Sequence, residues 1–151
     1  MIEIHNNFLS DIESNQLIDY FNSNLESTIA VQNDVYSFKY INISNYLDLL
    51  IAKKLNLTQI ETVRVQLVDD SVKTNEYMHI HSIPLTYLIF LNDNFEGGNL
   101  NIENISVKPK KNQLLIFEGR LRHNVDKVTK GNRYTFVAHV HSKAKITNNI
   151  V

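Results

Sequence analysis

The spacing of the apolar residues changes once along this chain, and this change limits the fold more than any other feature. Up to about residue 58 the apolar residues recur at helical intervals, whereas from Thr62 onward they alternate with polar ones. Alternation of this kind is typical of strands that bury one face. The sequence therefore predicts one domain over 1–151, with a helical support over 1–58, a β-rich core over 59–142 and a tail over 143–151.

Two helices are predicted in the helical support. The segment from Ser10 to Glu13 has the capping-box pattern, and Leu17 and Phe21 follow it on one helical face. Ser44 can cap a second helix. The apolar face of this second helix would comprise Leu47, Leu50, Ile51 and Leu55.

Short strands are predicted throughout the remainder of the chain. They are Val63–Leu67, Tyr77–His81, Leu85–Asn92, Asn99–Glu103, Gln113–Phe117 and Arg133–His141. The pair Gly97-Gly98 is the clearest turn signal between them. Short, closely spaced strands after two helices indicate a β-sandwich or barrel.

The composition excludes several kinds of protein and site. The chain has no cysteine, so a transition metal could be held only by nitrogen and oxygen ligands. The formal net charge is −1, and no stretch approaches the length of a membrane span. The first residues do not have the pattern of a secretory signal. We therefore expect a cytoplasmic protein that uses neither a membrane nor a nucleic acid partner.

Three histidines form a candidate metal site. His79 and His81 are two residues apart on a predicted strand, so their side chains project to the same side. Two imidazoles placed in this way can share a metal ion without distortion of the backbone. His123 follows another predicted strand and is the candidate third ligand.

The last predicted strand carries a candidate anion site. By alternation, one of its faces comprises Arg133, Thr135, Val137 and His139, and the other comprises Tyr134, Phe136 and Ala138. The other residues of this strand are typical of buried positions, so Arg133 would be buried as well. A buried arginine needs an anionic partner, because an unpaired buried charge costs about 3–5 kcal/mol.

In this order, the segments resemble the prolyl 4-hydroxylase branch of the iron(II)/2-oxoglutarate-dependent dioxygenases, including the short versions found in phages and marine bacteria. The similarity covers nearly the whole chain. It comprises the opening segment 4–17, His79-Ile80-His81, Leu85–Asn92 with Gly97-Gly98, Val107-Lys108-Pro109 with Leu114–Phe117 ahead of His123, and Arg133 with Thr135.

The resemblance implies a double-stranded β-helix, a cupin-like jelly-roll barrel, supported by two N-terminal helices. It implies a dioxygenase that uses Fe(II), 2-oxoglutarate and O2 to hydroxylate a peptide or protein side chain, or a small molecule. The implied metal ligands and catalytic residues are His79, His81 and His123. The implied cosubstrate-binding residues are Arg133, Thr135 and Thr86, and His139 is a candidate on the substrate side.

Two positions depart from the usual pattern of that family. His81 stands where the family usually has an aspartate ligand, although some short members have H-x-H. Phe90 stands where relatives often have a tyrosine that touches the cosubstrate, and the hydroxyl of Thr86, on the same strand face, is a candidate replacement.

Two other readings remain open from the sequence alone. A cupin-like three-histidine protein could be an isomerase, or a dioxygenase that needs no 2-oxoglutarate. A binding module could have kept the fold and lost the metal. The oligomeric state is not predicted.

Overall fold

The structure is a computed structural model that describes residues 2–32, 37–43, 54–55, 60–71, 80 and 84–141. In this part of the chain, one long helix, α1 (Asp11–Ser23), precedes a 3-10 turn (Leu25–Ser27) and a series of strands. The strands are β1 (Ile2–His5), β2 (Ile29–Gln32), β3 (Ser37–Asn42), β4 (Ile60–Asp69), β5 (Leu85–Phe90), β6 (Glu96–Gly97), β7 (Leu100–Ile102), β8 (Ile105–Val107), β9 (Leu114–Glu118), β10 (His123–Val125), β11 (Val128–Lys130) and β12 (Asn132–Val140).

The capping box predicted at the start of α1 is present. The backbone N–H of Glu13 donates to the Ser10 hydroxyl over 3.1 Å, and the Glu13 carboxylate accepts from the Ser10 backbone N–H over 2.9 Å. Leu17 and Phe21 are fully buried on the inward face of the helix. The ring of Phe21 meets Tyr134 of β12 edge to face, with centroids 5.8 Å apart. The helix therefore packs directly on the sheet that carries the candidate anion site.

The main sheet is antiparallel and has β12 near its centre. Among the described residues its strand order is β1-β9-β5-β12-β4-β3-β2. A smaller antiparallel sheet has the order β10-β7-β8, and β11 pairs with β6. Residues 135–140 of β12 have partners in both β4 and β5, whereas residues 132–134 have partners in β4 alone.

The two faces of the main sheet bury different cores. One face packs against α1, and this core includes Leu17, Tyr87, Ile89, Tyr134 and Phe136. The other face packs against the smaller sheet, and this core comprises Leu88, Phe90, Leu100, Ile102, Leu115, Phe117 and Val137. This second face is called the interior face below. Two sheets that enclose an apolar interior form the predicted jelly-roll barrel, so the predicted fold class is confirmed.

The sequence located most of the described core strands. The predicted strands at Val63–Leu67, Leu85–Asn92, Asn99–Glu103, Gln113–Phe117 and Arg133–His141 correspond to β4, β5, β7, β9 and β12. Strands β2, β3, β6, β8, β10 and β11 were not predicted. Residues 77–79 and 81 of the predicted strand Tyr77–His81, and residues 44–53 of the second predicted helix, lie outside the described residues. No helix in the described ranges is long and apolar enough to cross a membrane.

Candidate active site

The interior face of β12 carries the predicted polar residues in the predicted order. Arg133, Thr135 and His139 are all buried there, with Val137 between the last two. The register with β5 places Phe90 opposite Thr135, Leu88 opposite Val137 and Thr86 opposite His139. Cross-strand partners lie on the same face of a sheet, so these three pairs form successive rows across the barrel interior.

Arg133 is a buried cation at one end of this face. It is 1% exposed, and its Nε–H donates to the carbonyl oxygen of Gly98 over 2.9 Å. Its Cζ lies 5.4 Å from the centroid of the Phe90 ring, which provides a cation–π contact. Burial lowers the pKa of Arg133 to about 10. Within the described residues, its Nη2 has no hydrogen-bond partner.

Gly98 has two effects on the position of Arg133. Its carbonyl accepts the Nε–H bond, and its missing side chain leaves room for the arginine, because a Cβ there would lie 2.9 Å from the Cδ of Arg133. Its φ of +70° is also in the left-handed region that favours glycine. The Gly97-Gly98 pair, predicted as a turn, thus lies at the end of β6 and forms one wall of the arginine site.

We expect Gly98→Ala to displace the Arg133 side chain and weaken binding of an anion there. The left-handed backbone alone should lower the free energy of unfolding by about 1–2 kcal/mol. Gly131→Ala is the matched control, because Gly131 has a φ of +87° but its added Cβ would meet Phe95 and not Arg133. Denaturant unfolding and a titration with 2-oxoglutarate measure the two effects. Equal affinities in the two variants would show that Gly98 does not position the arginine.

Two buried threonines present hydroxyl groups to the interior. Thr135 is 0% exposed and Thr86 is 2% exposed, and in the described part of the chain neither Oγ1 has a hydrogen-bond partner. A buried hydroxyl without a partner costs about 1–3 kcal/mol. Unsatisfied groups of this kind are expected where a ligand supplies the missing partner.

His123 opens β10 and is the described member of the predicted metal site. The imidazole is 4% exposed, and its Nδ1 lies 2.7 Å from the carbonyl oxygen of Leu121. A carbonyl can only accept, so this contact is satisfied by a proton on Nδ1, and the lone pair is then on Nε2. Burial lowers the pKa of His123, which favours this neutral form. A neutral imidazole oriented by a backbone carbonyl is the usual form of a metal-binding histidine.

The other two predicted ligands, His79 and His81, lie outside the described residues. Among the residues that the structure describes, no three metal-binding side chains come together. The three-histidine site therefore stays a prediction. What the structure adds is the orientation of His123 towards the Leu121 carbonyl.

On the interior face, Phe117 lies between His123 and the row formed by Thr86 and His139. The ring of Phe117 meets the His123 ring edge to face, with centroids 5.0 Å apart. Phe117 is in turn the β9 partner of Thr86. Thr86 therefore lies towards the His123 end of the interior, whereas Phe90, about 13 Å further along β5, lies at the Arg133 end.

Residues 69–141 match the family model described as the 2OG-Fe(II) oxygenase superfamily. The chain thus resembles the 2OG-Fe(II) oxygenases in sequence as well as in fold. The predicted resemblance is confirmed, and the matched range includes every predicted site residue. No curated protein matches the sequence.

Solved structures of 2OG-Fe(II) oxygenases and prolyl hydroxylases have the same fold. A prolyl hydroxylase from Trichoplax adhaerens, in complex with a hypoxia inducible factor peptide fragment, is 20% identical with a TM-score of 0.70, covering 91% of this chain and 82% of that one. A prolyl-4-hydroxylase from Pseudomonas putida is 15% identical with a TM-score of 0.65, covering 91% and 90%. The viral collagen prolyl hydroxylase of Paramecium bursaria Chlorella virus-1, a 2OG complex, is 17% identical with a TM-score of 0.60, covering 91% and 93%. At these identities the likeness establishes the fold.

Three residues of the site were not assigned their roles from the sequence. The Leu121 carbonyl that orients His123 could not be predicted, because any residue type supplies a backbone carbonyl. The Phe90 ring was noted only for the hydroxyl it lacks, yet it contacts the Arg133 guanidinium. Gly98 was predicted as a turn residue, but Gly97 belongs to β6 and Gly98 directly follows it, with a left-handed φ of +70°.

Proposed function

We propose that the chain is a non-haem Fe(II)- and 2-oxoglutarate-dependent dioxygenase that hydroxylates a peptide or protein side chain, or a small molecule. The observation that carries the proposal is the buried guanidinium of Arg133, whose Nη2 has no hydrogen-bond partner within the described residues. A buried cation requires an anion, and the far carboxylate of 2-oxoglutarate fits that requirement. The hydroxyl of Thr135 is on the same strand face and can donate to the same carboxylate.

Each residue has a defined part in this proposal. Arg133 binds the far carboxylate by charge-assisted hydrogen bonds, and Gly98 orients the arginine through its Nε–H. His123 provides its Nε2 lone pair to the metal, together with His79 and His81. Imidazole nitrogens suit iron, and a ligand set on one side of a metal leaves positions open for other ligands.

The chemistry would be divided between the bound groups and the chain. When bound, Fe(II) and 2-oxoglutarate supply the oxidation, in which O2 is consumed, 2-oxoglutarate becomes succinate and CO2, and a substrate C–H becomes C–OH. The chain holds these groups in one apolar compartment. Leu88, Phe90 and Val137 are buried on the interior face and would exclude water from it.

The Arg133 site favours this proposal over the cupin-like reading. A three-histidine protein that needs no 2-oxoglutarate does not require a buried arginine whose Nη2 lacks a hydrogen-bond partner among the described residues.

An anaerobic titration tests the proposal. Adding 2-oxoglutarate to the Fe(II)-loaded protein should produce a metal-to-ligand charge-transfer band in the visible spectrum, and air should then convert 2-oxoglutarate to succinate. The same titration with succinate in place of 2-oxoglutarate is the control, since succinate lacks the keto group that would chelate the metal. A protein that binds Fe(II) but shows no band and forms no succinate would favour the cupin-like reading.

A further inference from the structure

The side chain of Asn92 bonds to the backbone on both sides of Arg133. We propose that Asn92 is a positioning residue for cosubstrate binding, because its amide takes the place of a neighbouring strand where β12 carries the arginine. This inference rests on the proposed function and adds to it a residue that acts through Arg133.

The register between β5 and β12 shows where strand pairing ends beside the arginine. The last pair of this ladder involves Thr135. One further backbone bond follows, from the N–H of Leu91 to the carbonyl oxygen of Tyr134 over 3.0 Å. Continuing the same register would place Asn92 opposite Arg133, beyond the end of β5. On this side the backbone next to Arg133 therefore needs other partners, because backbone polar groups without a partner are costly.

The amide of Asn92 supplies these partners. Its Oδ1 accepts from the backbone N–H of Tyr134 over 2.9 Å, and its Nδ2 donates to the carbonyl oxygen of Asn132 over 2.7 Å. These two backbone groups belong to the two peptide units that meet at Arg133, so the bonds restrain both backbone dihedrals of the arginine. An asparagine amide has the donor and the acceptor of a peptide group and can replace one beside a strand.

A third hydrogen bond helps to determine which way the amide points. Nδ2 of Asn92 also donates to Oδ1 of Asn94 over 2.7 Å. A reversed amide would set a donor against the Tyr134 N–H and an acceptor against the Asn132 carbonyl, so only one orientation satisfies all of these groups. The orientation of Asn92 is thus matched to the backbone of β12.

The restraint matters because the guanidinium of Arg133 lies at the end of a long side chain. The Gly98 carbonyl and the Phe90 ring contact the guanidinium itself. Asn92 acts at the other end of the side chain, where a change in backbone dihedrals would displace the whole arginine. A guanidinium that is held at both ends loses less entropy when it binds a carboxylate.

A double-mutant cycle with Arg133→Met tests this assignment. Asn92→Leu removes the amide with little change in side-chain size, and Asn92→Ser is a second variant if the leucine protein does not fold. Asn101→Leu is the matched control, because the Asn101 amide also donates twice, to Asn124 and Asp126, but lies on the smaller sheet. The affinities for 2-oxoglutarate and Mn(II), and the thermal midpoint, are measured for each protein.

We expect Asn92→Leu to weaken 2-oxoglutarate binding at least about fivefold when Arg133 is present, and less than about twofold in the Arg133→Met background. A loss of stability alone would not depend on Arg133 in this way. The affinity for Mn(II) should not change measurably, since Asn92 acts at the arginine end of β12. Asn101→Leu should leave both affinities unchanged, whatever its thermal midpoint.

Two results would overturn the inference and leave the proposed function intact. One is a wild-type affinity for 2-oxoglutarate in folded Asn92→Leu or Asn92→Ser protein. The other is an equal loss of affinity with and without Arg133, which would show a general effect on the fold. Failure of the proposed function would appear separately, as a wild type that binds no 2-oxoglutarate, and the inference would fall with it.

Discussion

Replacing Arg133 with methionine should lower the affinity for 2-oxoglutarate at least tenfold and leave metal binding nearly unchanged. A hydrogen bond to a charged group contributes about 1.5–3 kcal/mol, which corresponds to about ten- to a hundredfold in a dissociation constant. Arg133 is 1% exposed, so solvent does not screen the interaction. Methionine also removes a buried charge for which the described residues provide no anion, and we therefore expect the thermal midpoint of the variant to rise.

The control for this variant is Arg120→Met, because Arg120 is exposed and pairs with Glu118 at the surface. It should change neither the cosubstrate affinity nor the thermal midpoint by a measurable amount. The charge-transfer titration and a thermal melt without ligand measure both quantities. An Arg133→Met protein that binds 2-oxoglutarate as the wild type does would remove the main support for the proposed function.

Replacing His123 with alanine should abolish binding of Fe(II) at micromolar concentrations and with it all turnover. Loss of a group that merely orients a ligand typically costs ten- to a hundredfold in metal affinity, so the loss of a ligand should cost at least about a hundredfold. The Leu121 carbonyl would also lose its 2.7 Å hydrogen bond with the His123 imidazole. Metal content after equilibrium dialysis, and the dissociation constant for Fe(II) or Mn(II), measure the effect.

Other histidines of the chain provide the comparisons for this second prediction. His79→Ala and His81→Ala should each weaken metal binding as His123→Ala does, since all three are proposed ligands. His5→Ala should not, because His5 lies on the edge strand β1 and pairs with Glu3. Wild-type metal content in His123→Ala would refute the three-histidine site.

The elements that sequence reasoning predicted well are those with a local cause. The capping box at Ser10 and Glu13 depends on four consecutive residues, and the structure contains it. The alternation along β12 depends on neighbours within one strand, and Tyr134, Phe136 and Ala138 lie in one core of the main sheet while Val137 lies in the other. Local signals of this kind can be read without knowledge of which strands pair.

The features that could not be predicted depend on register between distant strands. Thr86 and Phe90 are correctly placed on one face by alternation, but only the pairing with β12 shows that they lie opposite His139 and Thr135, respectively. Strand β3 carried a signal, since Phe38 and Tyr40 alternate with Lys39. Its pairing with β2 and β4, however, is seen only in the sheet order.

The double pairing of β12 has a consequence for cosubstrate selection by length. Hydrogen bonds to β4 on one side and, from Thr135 onward, to β5 on the other hold the strand in place, so the separation between Arg133 and the row of His139 is set by backbone geometry and not by a loop. In the proposed function, the cosubstrate lies between the metal and Arg133. Among keto diacids, we expect chains one carbon shorter or longer than 2-oxoglutarate to bind more weakly, because the Arg133 end of the site cannot move to meet them.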